Sequence, residues 1–252
     1  TMGIPYEILP DYYEGAEKVI TKAYEYMQKE RAPFALLITR ATFTEYKPPE
    51  PLASDYDIHR EEAINVITRA AGPKDAFVAT TGFASRELYE VREKYSEGHS
   101  KDFLTIGSMG HASGIALGMC YGQPNRQVYC LDGDGALAMH MGNLVTVGKA
   151  KELKNFKHIV LNNAVHDSVG GQPTGFENVS VADLAKACGY RYAASVHKKA
   201  ELQDAVAALQ AAEGPALLEV KLTVGTRSNL GRPTTTPEEN KRDFMEFLGS
   251  LQ

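Results

Sequence analysis

Apolar residues in this chain come in two patterns. Short runs, unbroken over 34–38, 76–79, 128–131 and 159–161, and interrupted by Thr105 over 103–106 and by Glu219 and Lys221 over 216–222, make up the first. Uniformly apolar runs of this length are expected of strands buried on both faces, not of strands with one wet side. Between them, apolar residues recur at steps of three and four. Ala16, Val19, Ile20, Ala23, Tyr24 and Met27 share one face of a helix predicted over 13–30, and Ala63, Ile64, Ile67 and Ala70 share one face over about 60–71. Further helices are predicted over 85–95, 111–121, 136 to about 150, 181–188, 200–212 and 237 to about 248, with a short strand near Tyr192. Strands alternating with helices predict an α/β fold, a doubly wound parallel sheet covered by helices on both faces through right-handed crossovers. Residues 1–12, with Pro5 and Pro10, read as irregular.

Pro48, Pro49 and Pro51 stiffen the segment that follows the first helix and strand. A domain boundary is therefore expected there: a first piece over 1–44, a proline-rich linker over 45–58, the main domain over 59–224, and a C-terminal loop and helix over 225–252. One helix and one strand do not close a sheet, so the first piece reads as the end of a larger domain.

Composition narrows the function. The 252 residues are 43% hydrophobic and 23% charged, ordinary for a globular protein, and the net charge of −5 opposes a general affinity for nucleic acid or an anionic membrane. An anionic ligand then needs a local cluster of cations. The cysteines Cys120, Cys130 and Cys188 lack CxxC spacing and read as reduced thiols of a cytoplasmic protein. No apolar run approaches the ~20 residues of a membrane span, and no leader is expected.

Four predicted strand ends carry glycine or small polar residues: Thr81-Gly82, Gly107-Ser108, Gly133-Asp134 and Asn162-Asn163. Ligands of such sheets bind outside the carboxyl ends of the strands. Asp134 offers a carboxylate, Asn163 an amide oxygen and Val165 a backbone carbonyl, a hard-oxygen set suited to Mg²⁺ shared with a phosphorylated ligand. Gly133 and Gly135 allow close backbone approach, and a helix starting near Ala136 points its N–H groups at the anion. Gly82 to Ser85 opens another helix, whose N–H groups and Ser85 hydroxyl suit phosphate oxygens or serve as a simple cap.

Gly-Asp-Gly, 26 residues, then Asn-Asn is the spacing of the thiamine diphosphate signature. With TTGFASRELYE (80–90), DFLTIGSMGHASGIALG (102–118), CLDGDGALAMHMG (130–142), LNNAVHDSVGGQPT (161–174) and RSNLGRPTTTPEEN (227–240), residues 59–236 resemble the diphosphate-binding (PP) domain of thiamine diphosphate-dependent 2-oxoacid decarboxylases. The likeness is greatest to the phosphonopyruvate and sulfopyruvate branch. Residues 1–44 resemble the last helix and strand of the preceding pyrimidine-binding (PYR) domain. The resemblance implies that the Gly107 carbonyl accepts from the aminopyrimidine, that Ser108 and Met109 flank it with Met109 as the wedge that bends the cofactor, and that Asp134, Asn163 and the Val165 carbonyl hold Mg²⁺. It also implies an activating PYR glutamate that this chain does not contain, so a homo- or hetero-oligomer with a PYR-bearing chain is expected. Ala164-Val165 departs from the Gly-Ala the family tends to carry.

The implied substrate is a small 2-oxoacid with a second anionic group. Candidate catalytic residues are His166, Asp167 and His111, with His166 placed to relay a proton. Ser168, Gln172, Arg227 and Arg232 are candidate anion ligands, a planar guanidinium suiting a phosphonate. Decarboxylation of phosphonopyruvate is the implied activity. The alternatives are sulfopyruvate decarboxylation and a non-catalytic cofactor-binding subunit. A dinucleotide dehydrogenase is disfavoured because Thr81-Gly82-Phe83-Ala84 does not supply GxGxxG.

Overall fold

A computed structural model of the chain describes residues 3–44 and 54–249; residues 45–53 of the predicted linker and the last three residues of the C-terminal segment lie outside the described residues. Contacts divide the chain into two compact units, Thr1–Glu50 and Pro51–Gln252.

The first unit contains β1 (Tyr6–Ile8), α1 (Tyr13–Glu30) and β2 (Ala35–Leu37), with β1 and β2 parallel and Glu7 opposite Leu36. The strand β1 lies in a segment expected to be irregular. Three residues between two prolines are too few to show a period, and their partner lies across a helix. Helix α1 has the predicted bounds, but its apolar face is not inward: only Gly15 and Ala23 are buried, while Ile20, Tyr24 and Met27 are exposed. A two-stranded sheet is too narrow to cover that face.

The second unit is a parallel sheet. Among the described residues its strands are β3 (Ala76–Ala79), β4 (Asp102–Leu104), β5 (Val128–Gly133), β6 (Phe156–Asn162), β7 (Tyr192–Val196) and β8 (Ala216–Lys221), in the order β4-β3-β5-β6-β8-β7. The helices are α2 (Arg60–Ala70), α3 (Phe83–Lys94), α4 (Ala112–Gly122), α5 (Asp134–Met139), α6 (Asn143–Lys149), α7 (Val181–Cys188), α8 (Leu202–Ala211) and α9 (Pro237–Gly249). Side chains alternate along each strand. Phe77, Tyr129 and Leu131 pack under α2, α3 and α8, with Ile64, Leu88 and Leu209. Val78, Cys130 and Val160 pack under α4, α6 and α7, with Ala116, Val147 and Ala185. Each fully buried leucine or isoleucine contributes roughly 1.5–3 kcal/mol, and both faces of the sheet are covered, as the uniformly apolar strands require. No helix among the described residues is long and apolar enough to cross a membrane.

The helix expected from 136 to about 150 is two. Leu137, Leu144 and Val147 join one core cluster, so the apolar period carries across the turn at 140–142 and conceals it.

The chain leaves β3 for β4 on one side and then crosses to β5 on the other. This is a topological switch point, where the crevice between diverging connections receives ligands. Ala79 is level with Leu131 in the ladder, so Thr80 to Gly82 and Asp132 to Asp134 leave the sheet together.

Candidate functional site

The turn after β5 is set from below. Asp132 is fully buried; its Oδ1 accepts from the Gly133 N–H at 3.0 Å. Its Oδ2 lies 3.3 Å from His158 Nε2, and His158 Nδ1 lies 3.0 Å from the Tyr190 hydroxyl. With that polar post beneath it, Asp134 is presented to the cleft, 3% exposed. Thr174 donates to its Oδ2 at 2.5 Å. Burial raises its pKa above the usual carboxylate range, against the pull of Thr174 and of the N–H groups of residues 134 and 135. Gly135 lies under the His166 ring, which stands 2.5 Å from where a Cβ would be, with Met109 Cε at 3.3 Å. Any side chain there would displace both.

The two asparagines after β6 do different work. Asn162 faces into the fold, its amide donating to Glu219 Oε1 at 2.8 Å and its carbonyl accepting from the Ala164 N–H at 3.0 Å. Asn163 lines the cleft and donates to Asp167 Oδ2 at 2.6 Å. Ala164 adopts φ 62°, a left-handed conformation that costs an L-residue about 1–2 kcal/mol; a glycine there, as in the resembling family, is free of that strain. The loop then closes on itself. His166 N–H donates to the Gln172 carbonyl at 2.8 Å and Thr174 N–H to the Ala164 carbonyl at 2.9 Å. Between these rungs Val165 and Pro173 form a non-hydrogen-bonded antiparallel pair, so the Val165 carbonyl points away from the opposite strand and is not drawn into the hairpin.

At the end of β3, Thr80 and Thr81 line the cleft, and Gly82 at φ 104° turns the chain into α3. The Thr80 hydroxyl is buried without a partner. The Ser85 hydroxyl instead donates back to the Thr80 carbonyl at 2.7 Å, so its proton is already committed. The loop after β4 is tied alongside by Gly107 N–H, which donates to Thr81 Oγ1 at 3.2 Å. Gly107 and Ser108 both have positive φ. A Cβ on Gly110 would lie 2.9 Å from the Ala136 carbonyl, so this loop seats on the start of α5 only with glycine there. Met109 is half-buried and reaches the cleft.

A buried charge network braces the floor. Arg60 is 8% exposed; its Nε and Nη2 donate to Glu87 at 2.9 and 3.2 Å and its Nη1 to Asp167 at 3.1 Å. Thr226 Oγ1 donates to Glu87 at 2.9 Å, and Gly225 N–H to Asp167 at 3.3 Å. The two carboxylates hold the Arg60 guanidinium charged, its pKa raised despite desolvation. The loops after β6 and β8 are thereby fixed to α2 and α3.

The fold therefore brings Gly133, Asp134, Gly135, Ala136, Asn163, Val165, His166, Met109 and the 80–83 turn to one cleft. Asp167 lines it too, but its bonds to Arg60, Asn163 and Gly225 give it a bracing role. His111 stands apart at the start of α4, exposed, its ring 4.8 Å from that of His140. Gln172 is exposed, and its amide covers Gly170. Arg227 pairs with Glu61 at 2.9 Å and with Glu90. Glu62 caps α2 and pairs with Lys199 at 2.6 Å. Arg232 lines a neighbouring cavity instead of the cleft. Sequence reasoning missed Arg60, Glu87, Thr80 and Thr174. A signal existed for Glu87, which sits among Ala84, Leu88 and Val91 on the inward face of α3, where an unpaired carboxylate would be costly.

Residues 80–220, more than half of the chain, match the family model described as thiamine pyrophosphate enzyme, C-terminal TPP binding domain. The chain is 41% identical over 177 residues to a phosphonopyruvate decarboxylase of Streptomyces viridochromogenes, covering 70% of this chain and 43% of that protein. It is 34% identical over 131 residues to a sulfopyruvate decarboxylase subunit beta of Methanocaldococcus jannaschii, covering 52% of this chain and 66% of that one. The chain thus spans less than two thirds of either relative. Its fold is similar to that of the thiamine diphosphate-dependent 4-hydroxybenzoylformate decarboxylase of Rhodococcus jostii RHA1, with a TM-score of 0.57 at 19% identity over 74% of this chain and 37% of that one. With Asp134 and Asn163 meeting at the switch point and this match running through both, the chain belongs to the thiamine pyrophosphate enzymes and carries their C-terminal cofactor-binding domain.

Proposed function

We propose that the chain is the PP-bearing part of an enzyme that decarboxylates phosphonopyruvate to phosphonoacetaldehyde and CO₂ with thiamine diphosphate and Mg²⁺. The observation that carries this reading is the cleft itself. It combines a buried carboxylate, an amide and a backbone carbonyl outside its hairpin with an unpartnered Thr80 hydroxyl and, at Gly135, a floor on which a Cβ would press into the His166 ring. Hard oxygens suit Mg²⁺, and the orphaned hydroxyl suits a phosphate oxygen. Asp134, Asn163 and the Val165 carbonyl would hold the metal. Thr80 and the N–H groups at the start of α3 and at 135–136 would hold the diphosphate. Gly107 and Met109 would orient the pyrimidine. When bound, the cofactor supplies the carbanion that adds to the keto carbon and the electron sink for losing CO₂.

The protein's own part is to hold, dry and protonate. His166 stands over Gly135 with its main chain locked into the 163–174 hairpin, placed to deliver a proton to the carbon left after CO₂ departs. Sulfopyruvate is the second reading, favoured by the Methanocaldococcus jannaschii relative, which as a subunit beta also supports a hetero-oligomer with a second subunit that shelters the pyrimidine. The division proposed for the chain is 1–44 as the end of a PYR domain, 45–58 as linker and 59–224 as PP domain. Cysteines that are all free support a cytoplasmic location.

The test is turnover of phosphonopyruvate, sulfopyruvate and pyruvate by the purified protein with its companion subunit, thiamine diphosphate and Mg²⁺. Phosphonopyruvate is expected to be consumed with release of CO₂. Turnover of pyruvate with neither dianion would refute the substrate assignment.

A further inference from the structure

A second cavity, of about 440 Å³, adjoins the cleft. The two share Thr81, Phe83 and Ser168 as a wall, and the second extends past the end of β4 to Arg86, Arg232 and Thr235. Among the described residues no aspartate or glutamate lines it. Arg86 is fixed in place, its Nε donating to the Gly231 carbonyl at 2.5 Å and its Nη2 to the Leu230 carbonyl. It therefore anchors the loop that carries Arg232 while leaving its charge unanswered by any carboxylate in the cavity. Burial and then the Arg232 charge press the Arg86 pKa downward, only partly opposed by Glu87. Arg232 makes no ion pair among the described residues, unlike Arg227 five positions earlier. The Thr235 hydroxyl is buried and has no partner.

Two guanidiniums and an unpartnered hydroxyl, with no carboxylate lining the cavity itself, make a donor set for a tetrahedral oxyanion. Resting on the decarboxylase reading, we propose that this cavity is the subsite for the second anionic group of the substrate. A phosphonate or sulfonate is gripped there by Arg232 and the Thr235 hydroxyl under the Arg86 charge, while the 2-oxo end passes Ser168 into the cleft. The subsite selects dianions over plain 2-oxoacids, because an uncharged methyl there would offer the half-buried Arg86 and the exposed Arg232 no counter-charge.

The test uses the full chain, with its companion subunit where one co-purifies. Calorimetry measures binding of phosphonoacetate, of acetate as the control without a second anion, and of thiamine diphosphate with Mg²⁺, to the wild type, Arg232→Gln, Arg232→Lys and Thr235→Val. A charge-assisted bidentate contact predicts that Arg232→Gln weakens phosphonoacetate by roughly ten- to a hundredfold. Arg232→Lys is expected to restore part of that loss, Thr235→Val to lose several-fold, and cofactor affinity to stay unchanged in every variant. Phosphonoacetate binding that ignores Arg232, or a parallel loss of cofactor affinity that assigns the cavity to the diphosphate, overturns the subsite. Failure of the wild type to bind cofactor would overturn the proposed function alone. Phosphonoacetate binding to cofactor-free protein still decides the subsite: dependence on Arg232 supports it, and independence overturns it.

Discussion

Phe83 borders two hollows that treat charge in opposite ways. Arg60 lies 5.3 Å and Arg86 5.1 Å from its ring centroid. In the cleft, positive charge is answered: Arg60 meets Glu87 and Asp167, and Asp167 in turn meets Asn163. In the adjoining cavity the cations Arg86 and Arg232 have no carboxylate to face. A neutralised network gives shape; an unneutralised one is left to find its counter-ion in a ligand. An arginine's role is therefore read from its partners, and Arg227, in the same loop as Arg232 but tied to Glu61 and Glu90, belongs with Arg60.

The largest effect expected from breaking this contrast is on the cleft side. Arg60→Met leaves two carboxylates without their cation at a largely buried site, which costs on the order of 3–5 kcal/mol. Urea unfolding checks it, and adding Glu87→Gln should recover part of the loss. A stability within 1 kcal/mol of wild type, on the order of a surface change, would mean the network is not needed for the fold.

Asp134→Asn comes next and separates function from stability. Thiamine diphosphate affinity in the presence of Mg²⁺ should fall on the order of a hundredfold, because a carboxylate is lost from the metal's shell. Stability of the ligand-free protein should be unchanged or higher. Burial raises this carboxyl's pKa, so the folded chain holds the proton to higher pH than the unfolded chain does, and the ionised form detracts from stability above that range. Calorimetry and thermal melts read the two arms; cofactor affinity untouched by the change would remove Asp134 from the metal site.

Ala164→Gly is smaller. It relieves the left-handed strain at φ 62° but adds backbone freedom to the unfolded chain, leaving a net gain of about 0.5–1 kcal/mol. A lower urea midpoint would show that the strain is compensated elsewhere. Arg227→Gln should do least. Its pairs are about a third exposed and screened by solvent, so the cost is under about 1 kcal/mol and phosphonoacetate binding is unchanged. A loss matching that of Arg232→Gln would erase the distinction between the two arginines.

Much of the fold was legible in order and type of element. Uniformly apolar runs mark strands buried on both sides, and the bounds of α1 and α7 follow from period and punctuation. The residues of the cleft were legible too, because Gly133, Asp134, Gly135 and Asn163 stand at strand ends that the fold brings together. Less visible were β1, whose pairing with β2 spans a whole helix, and the break between α5 and α6, where one apolar stripe serves two helices.

The sequence by itself determined that this chain makes a parallel α/β sheet and which strand ends gather at one cleft. Those properties depend on residue type at short spacing, and short-range patterns survive in one dimension. Only the tertiary structure decided which charges are spent. Arg60 finds Glu87 across 27 residues and Asp167 across 107, whereas Arg232, though Glu61, Glu90 and Glu93 border a hollow on its other side, forms no ion pair among the described residues. Pairing is a matter of distance in space, and a guanidinium carries the same charge in the sequence whether or not the fold brings it a partner.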